Sequence, residues 1–217
     1  MNIDSHVDAL IFDMDGTLWD ATASYAEIWN KCFEESGMAR KVDSDELMKY
    51  MGQPIASIVK GITGNSLDEE KMGVFIDRLG VLEDKMMPVL GGKPFDGLKE
   101  GLARLSKYYK LFMLSNCGPD GLPNFMRYTE TGDYFSGHVS YGNRPVPKGE
   151  NIRYLMSKYG LGSAVYVGDT QGDCDETHRA GIPFVYARYG FGNCHGFDMS
   201  FDSFMAIVDY FVNLKKD

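Results

Sequence analysis

A chain of 217 residues that is 44% hydrophobic and 24% charged can build one good core and one small accessory unit, and this balance excludes a disordered protein. The formal net charge of −9 argues against a broad nucleic-acid surface, where basic residues must offset phosphate charge. It leaves room for a small phosphorylated ligand, because one metal ion and a lysine or two reverse the field inside a cleft.

The N-terminal stretch MNIDSHVDALIFDMDG carries acids where a signal peptide carries positive charge. No run approaches the roughly 18 apolar residues of a membrane span. Cys32, Cys117, Cys174 and Cys194 are widely spaced and form no CxxC, so free thiols and a cytoplasmic location are expected.

The first apolar run, Ala9 to Phe12, is continuous rather than alternating, as expected of a parallel strand buried on both faces. It delivers Asp13-Met14-Asp15-Gly16-Thr17. Two carboxylates at i and i+2 beside a strand end are costly unless something positive offsets them, and hard oxygen ligands favour Mg²⁺. Gly16 permits a turn that carries Asp15 back over the strand end. A structural turn or a calcium-like loop would give the same five residues.

From 20 to 89 the pattern is helical with no convincing strand. Tyr25, Ile28, Trp29, Cys32 and Phe33 form one stripe, with Asp20 as N-cap and Gly37 as stop. Asp43 with Glu46 and Ser66 with Glu69 have capping-box spacing, and Pro88, Gly91, Gly92 and Pro94 punctuate the way out. An insert placed directly after a site residue is expected to lie over the mouth of the site. Leu98, Leu102 and Leu105 then mark a helix, and Leu111 to Leu114 a strand ending at Ser115-Asn116.

Lys148 stands at the start of a helix marked by Ile152, Leu155, Met156 and Tyr159. Ala164 to Val167 is a further buried strand, ending in Gly168-Asp169-Thr170-Gln171-Gly172-Asp173. Asp169, at the strand end itself, is the stronger ligand candidate, and Asp173 reads equally as a helix N-cap. Phe184 to Ala187 leads to Arg188 and Tyr189. Strands alternating with helices indicate an α/β domain with a parallel sheet, whose ligands bind at the carboxyl ends of the strands, where these polar residues fall.

Taken together and in this order, DMDGT, Ser115, Lys148 and GDTQGD resemble the four motifs of the haloacid dehalogenase-like (HAD) hydrolases. The resemblance implies a Rossmann-like core over 1–19 and 90–217, with a helical C1 cap over 20–89. It implies Asp13 as nucleophile, forming an aspartyl phosphate, and Asp15 as general acid and base. Ser115, Asn116 and Lys148, with the amides of Met14 and Gly16, would hold phosphoryl oxygens. Mg²⁺ would be held by Asp13, the Asp15 carbonyl and Asp169, with Asp173 direct or through water. Lys148 is followed by Gly149, where many relatives have proline.

Within that family, Asp15 fits phosphate-ester chemistry, since dehalogenases and phosphonatases lack an aspartate at this position. The nearest likeness is to phosphoglycolate phosphatase-like and β-phosphoglucomutase-like members. Sugar-phosphate mutases commonly place an arginine in the cap loop that reads Gly52-Gln53-Pro54-Ile55 here. A Mg²⁺-dependent phosphatase acting on a small phosphorylated metabolite is therefore expected, as a monomer or weak dimer. A phosphosugar mutase and a catalytically silent phosphate-binding module are the alternatives. Gln53, Lys60 and Arg78 are candidates to touch the leaving group. Trp29 and Met86-Met87 read as packing, and His6, His138, His178 and His195 have no metal-like spacing.

Overall fold

The computed structural model describes residues 3, 4 and 6–216. The outermost limits of the expected core, Met1 and Asp217, lie outside the described residues. In chain order the elements are β1 (Ala9–Phe12), β2 (Trp19–Asp20), α1 (Thr22–Glu35), α2 (Ser44–Met48), α3 (Ile55–Thr63), α4 (Glu69–Leu90), β3 (Lys93–Pro94) and α5 (Leu98–Leu105). There follow β4 (Lys110–Ser115), α6 (Gly121–Thr129), β5 (Phe135–Ser140), α7 (Lys148–Tyr159), β6 (Ala164–Gly168), α8 (Gln171–Ala180), β7 (Phe184–Ala187), β8 (Met199–Phe201) and α9 (Phe204–Leu214).

Six strands form one parallel sheet in the order β5-β4-β1-β6-β7-β8, an α/β Rossmann-like core. Because β1 lies between β4 and β6, the chain builds outward from it in both directions. That makes the carboxyl end of β1 the switch point where such sheets bind ligands. Alternation along β1 sends Leu10 and Phe12 into one apolar layer, with Leu102, Phe204 and Phe211, and Ala9 and Ile11 into the other, with Ile152, Leu155 and Tyr166. Both faces are covered, which is why the strands read as unbroken apolar runs.

The two crossings between the sheet and the helices α1–α4 are tied together by an antiparallel ladder, Trp19 opposite Pro94 and Asp20 opposite Lys93. Trp29, Phe33 and Phe75 pack α1 on α4, with ring centroids 5.2 to 5.9 Å apart. Among the described residues no helix is long and apolar enough to cross a membrane.

Several sequence expectations are corrected. Asp20 is not the N-cap of α1: Ala21 holds that position, and Asp20 instead accepts bonds from the Thr22 amide (2.9 Å) and hydroxyl (2.7 Å). Asp43 does cap α2, receiving the Glu46 amide at 2.8 Å. The cap of α4 is Asp68, not Ser66, and it takes the Lys71 amide. Pro88 does not end α4, which runs on to Leu90. A proline within one turn of the end costs a single donor, whose former acceptor belongs to the exposed Asp84. The edge strands β5 and β8 were not expected, because half-exposed, polar-rich FSGHVS and three-residue MSF lack the apolar run of a central strand.

Candidate active site

Three neighbouring strands bring polar side chains to one edge of the sheet. Asp13 follows β1, Ser115 ends β4, and Asp169 follows β6, all almost wholly buried. Lys148, the first residue of α7, reaches into the same place and is 4% exposed. Its ammonium donates to Asp13 Oδ2 at 3.1 Å and also to Asp173 Oδ1. Asp173 is the third residue of α8, not its N-cap. Thr170 caps the helix, and the pair form a capping box in which Asp173 Oδ2 accepts the Thr170 amide (3.0 Å) and hydroxyl (2.7 Å). The cap and the charge pair thus use different oxygens of one carboxylate.

One carboxylate oxygen from each of Asp13, Asp169 and Asp173 lies within 4.8 Å of the others. Burial pushes the Asp13 carboxyl up to about 6 against the pull of Lys148, and burial with Asp173 and Asp13 holds Asp169 well above the carboxylate range. Burial pulls the Lys148 ammonium down, but Asp13 and Asp173 outweigh it and keep the lysine charged. Asp169 Oδ2 accepts the Phe191 amide at 2.7 Å, while its Oδ1 is buried with no hydrogen-bond partner among the described residues. A cluster of hard oxygens with one orphaned acceptor fits a divalent cation. The turn needs Gly16: its φ is +75°, and a Cβ there would stand 2.2 Å from Asp169 Oδ2.

Asp15 turns away from this cluster. Its Oδ1 accepts the indole N–H of the buried Trp19 at 2.9 Å, and its carboxyl faces a cavity of about 650 Å³ beneath α1–α4. Burial, then the Asp13 charge, raises its pKa well above the usual value, a setting that favours the protonated form.

Of the other residues singled out, Ser115 and Asn116 both border the cavity. The Asn116 amide donates to the Gly52 carbonyl at 2.7 Å, joining the loop between α2 and α3 to the sheet edge. Gln53 borders the cavity, but Arg78 pairs with Glu35 instead, and Lys60 is not part of the wall. Trp29 is a packing residue and a cavity residue at once. Arg188 points to Asp202 at 2.9 Å, whereas the Tyr189 hydroxyl donates to the Thr17 carbonyl at 2.8 Å and braces the DMDGT loop. Gly149 has a local reason: its amide donates to Glu176 at 2.9 Å, and a Cβ would come 2.7 Å from the Glu176 carbonyl. Proline could not make that bond. Trp19 and the Phe191 amide were missed from sequence, and only the position of Phe191, just beyond a strand-end loop, hinted at it.

Residues 10–187 match the family model described as haloacid dehalogenase-like hydrolase. A phosphoglycolate phosphatase of Aquifex aeolicus is 28% identical over 84% of this chain and 85% of its own. One from Neisseria gonorrhoeae is 24% identical, covering 87% and 83%. In fold, the chain superposes on a haloacid dehalogenase-like family hydrolase from Streptococcus pneumoniae with a TM-score of 0.84 at 20% identity, covering 95% of this chain and 99% of that one. A HAD-superfamily hydrolase from Geobacter sulfurreducens gives 0.72 at 19% identity, covering 96% and 100%.

Proposed function

This chain belongs to the haloacid dehalogenase-like hydrolase family, as a phosphatase of its phosphoglycolate phosphatase-like branch, and we propose that it hydrolyses a small phosphate monoester through an aspartyl phosphate on Asp13. The observation that carries this reading is the division of labour between two adjacent carboxyls. Asp13 is held by Lys148 at the bottom of the site, and Asp15 is turned by Trp19 toward the cavity where a leaving group would lie.

In the first step an Asp13 carboxylate oxygen attacks phosphorus and the bond from phosphorus to the ester oxygen breaks. The departing oxygen takes a proton from Asp15, whose buried setting raises its pKa and suits it to that role. In the second step Asp15 accepts a proton from water as that water attacks phosphorus. The acyl-phosphate bond then breaks, freeing phosphate and the Asp13 carboxylate. Lys148, the Ser115 hydroxyl and the strand-end amides would meet the phosphoryl oxygens. Asn116 would act chiefly by fixing the loop at Gly52.

Asp13, Asp169 and the Asp15 carbonyl would hold Mg²⁺, with Asp173 alongside, and the orphaned Asp169 Oδ1 supports this assignment. When bound, the ion supplies polarisation of the phosphoryl group and lowers its repulsion toward the incoming carboxylate. Residues 20–89 would form the cap, anchored at the β2–β3 ladder. A mutase must hold a second phosphate, and Gly52-Gln53-Pro54-Ile55 offers it no cation.

The test is Mg²⁺-dependent hydrolysis of p-nitrophenyl phosphate and acetyl phosphate. Asp13→Asn should reduce turnover to background, a loss of roughly 10⁴-fold or more. Asp15→Asn should accumulate acid-stable phosphoprotein. Full activity in Asp13→Asn would sink the mechanism.

A further inference from the structure

The cavity that Asp15 faces has a wall chemistry that bears on what can leave. Besides Asp15, its acidic groups come from α4, where Asp77, Glu83 and Asp84 all border it, and its apolar wall includes Trp29, Ile58 and Leu79. Among the described residues no lysine, arginine or histidine lines it. The two nearby cations named from sequence do not change this, since Arg78 is spent on Glu35 and Lys60 lies off the wall. Gln53 offers a neutral amide.

From this lining we propose that the leaving group is an uncharged or donor-bearing alcohol, either carbon-rich or carrying a hydroxyl or amine, and that esters with a second negative charge, phosphoglycolate included, are poor substrates. The proposal rests on the phosphohydrolase reading above and narrows it. A carboxylate brought next to Asp15 enters an apolar chamber, meets like charge on α4, and finds no cationic side chain to replace its water. A donor faces the opposite situation. The half-buried Glu83 has no hydrogen-bond or ion-pair partner among the described residues, so an amine or hydroxyl would supply its missing contact. Burial, then Asp84, pushes the Glu83 carboxyl up to about 7, as expected of an acid held without a counter-charge.

Size points the same way. A cavity of about 650 Å³ falls among pockets that hold drug-sized ligands, roughly 300–1,000 Å³, and is far larger than a two-carbon acid needs. At Gly80, which borders the cavity in mid-helix, a Cβ would meet nothing within 4 Å, so α4 leaves open space at that point.

The experiment compares kcat/KM of the full chain with Mg²⁺ for phosphoglycolate, phosphoethanolamine and phenyl phosphate, with acetyl phosphate as a reference acyl phosphate. Phosphoethanolamine and phenyl phosphate should exceed phosphoglycolate by about tenfold or more. Glu83→Gln should narrow the gap between phosphoethanolamine and phosphoglycolate, with its fold checked by circular dichroism. Should that variant fail to fold, Asp84→Asn on the exposed side of the same wall makes the same comparison. Phosphoglycolate turned over as fast as the other two, or a gap unmoved in a folded variant, overturns the proposal. No turnover of any of these phosphates, acetyl phosphate included, overturns the phosphohydrolase reading and this proposal with it.

Discussion

The sheet edge and the wall of α4 handle buried charge in opposite ways. At the edge, Lys148 sits between Asp13 and Asp173, Trp19 holds Asp15, and the Phe191 amide holds Asp169, leaving Asp169 Oδ1 as the open acceptor. Along α4, Glu83 and Asp84 face an apolar cavity with no cation opposite them among the described residues. The first is a closed network that fixes a reaction geometry before any substrate arrives. The second is left open, and a ligand must complete it. In this molecule the chemistry is built into the frame, and selectivity is left to a surface that ligand contact finishes.

The most severe way to break that contrast is to open the closed network. Lys148→Met removes the central cation and leaves three buried carboxylates at one strand edge. Breaking a buried pair from one side typically costs 3–5 kcal/mol, so the metal-free variant should lose about 3 kcal/mol or more in urea unfolding at pH 8. Millimolar Mg²⁺ should restore part of it, because a divalent cation offsets the same charges. An unchanged midpoint without metal would mean that the network at the edge is not what holds the carboxylates in place.

Legibility in the sequence followed the same division. Asp13 and Asp169 were readable because each ends an unbroken apolar run, and both β1 and β6 are buried along their whole length. Lys148 stood out only through the family resemblance, since a lysine at a helix start is by itself most often solvated. The partners were not. Trp19 reaches Asp15 four residues away because the chain turns at Gly16, and that local closure has no periodicity to announce it. The Phe191 contact is made by a backbone amide, which any residue but proline supplies. The edge strands carry the mixed composition of exposed segments, so their pairing was invisible. The cavity was the least legible feature, since its wall draws on α1, α3, α4 and the loop after β4, each with an ordinary local pattern.

A milder perturbation probes the open wall. The Glu83 carboxyl titrates near 7 in the folded protein against an ordinary value of 4.5. Between those values the folded chain holds a proton that the unfolded chain has lost. Stability from this residue is therefore fully present below about 4.5 and is lost as pH rises through 7. Glu83→Gln, which never ionises, should gain about 1–2 kcal/mol over the parent at pH 8, allowing for partial solvent screening, and little at pH 5. Chemical denaturation at the two pH values measures it. A gain equal at both would show that charge is not what the wall is holding in check.

The smallest effect sharpens the contrast by separating the helix from its cavity. Both Gly73 and Gly80 lie inside α4, and a Cβ at either would meet nothing within 4 Å. Glycine in a helix interior costs about 0.8–1.0 kcal/mol relative to alanine, through backbone freedom lost on folding. Gly73→Ala and Gly80→Ala should each stabilise the protein by roughly 0.5–1 kcal/mol, raising the melting temperature by a few degrees at most. Gly80 borders the cavity and Gly73 does not. A leucine at each position should therefore divide them: Gly80→Leu should lower kcat/KM for phenyl phosphate while leaving acetyl phosphate less affected, and Gly73→Leu should change neither. If both leucines behaved alike, the open space at Gly80 would be a property of the helix surface and not of the room kept for a leaving group.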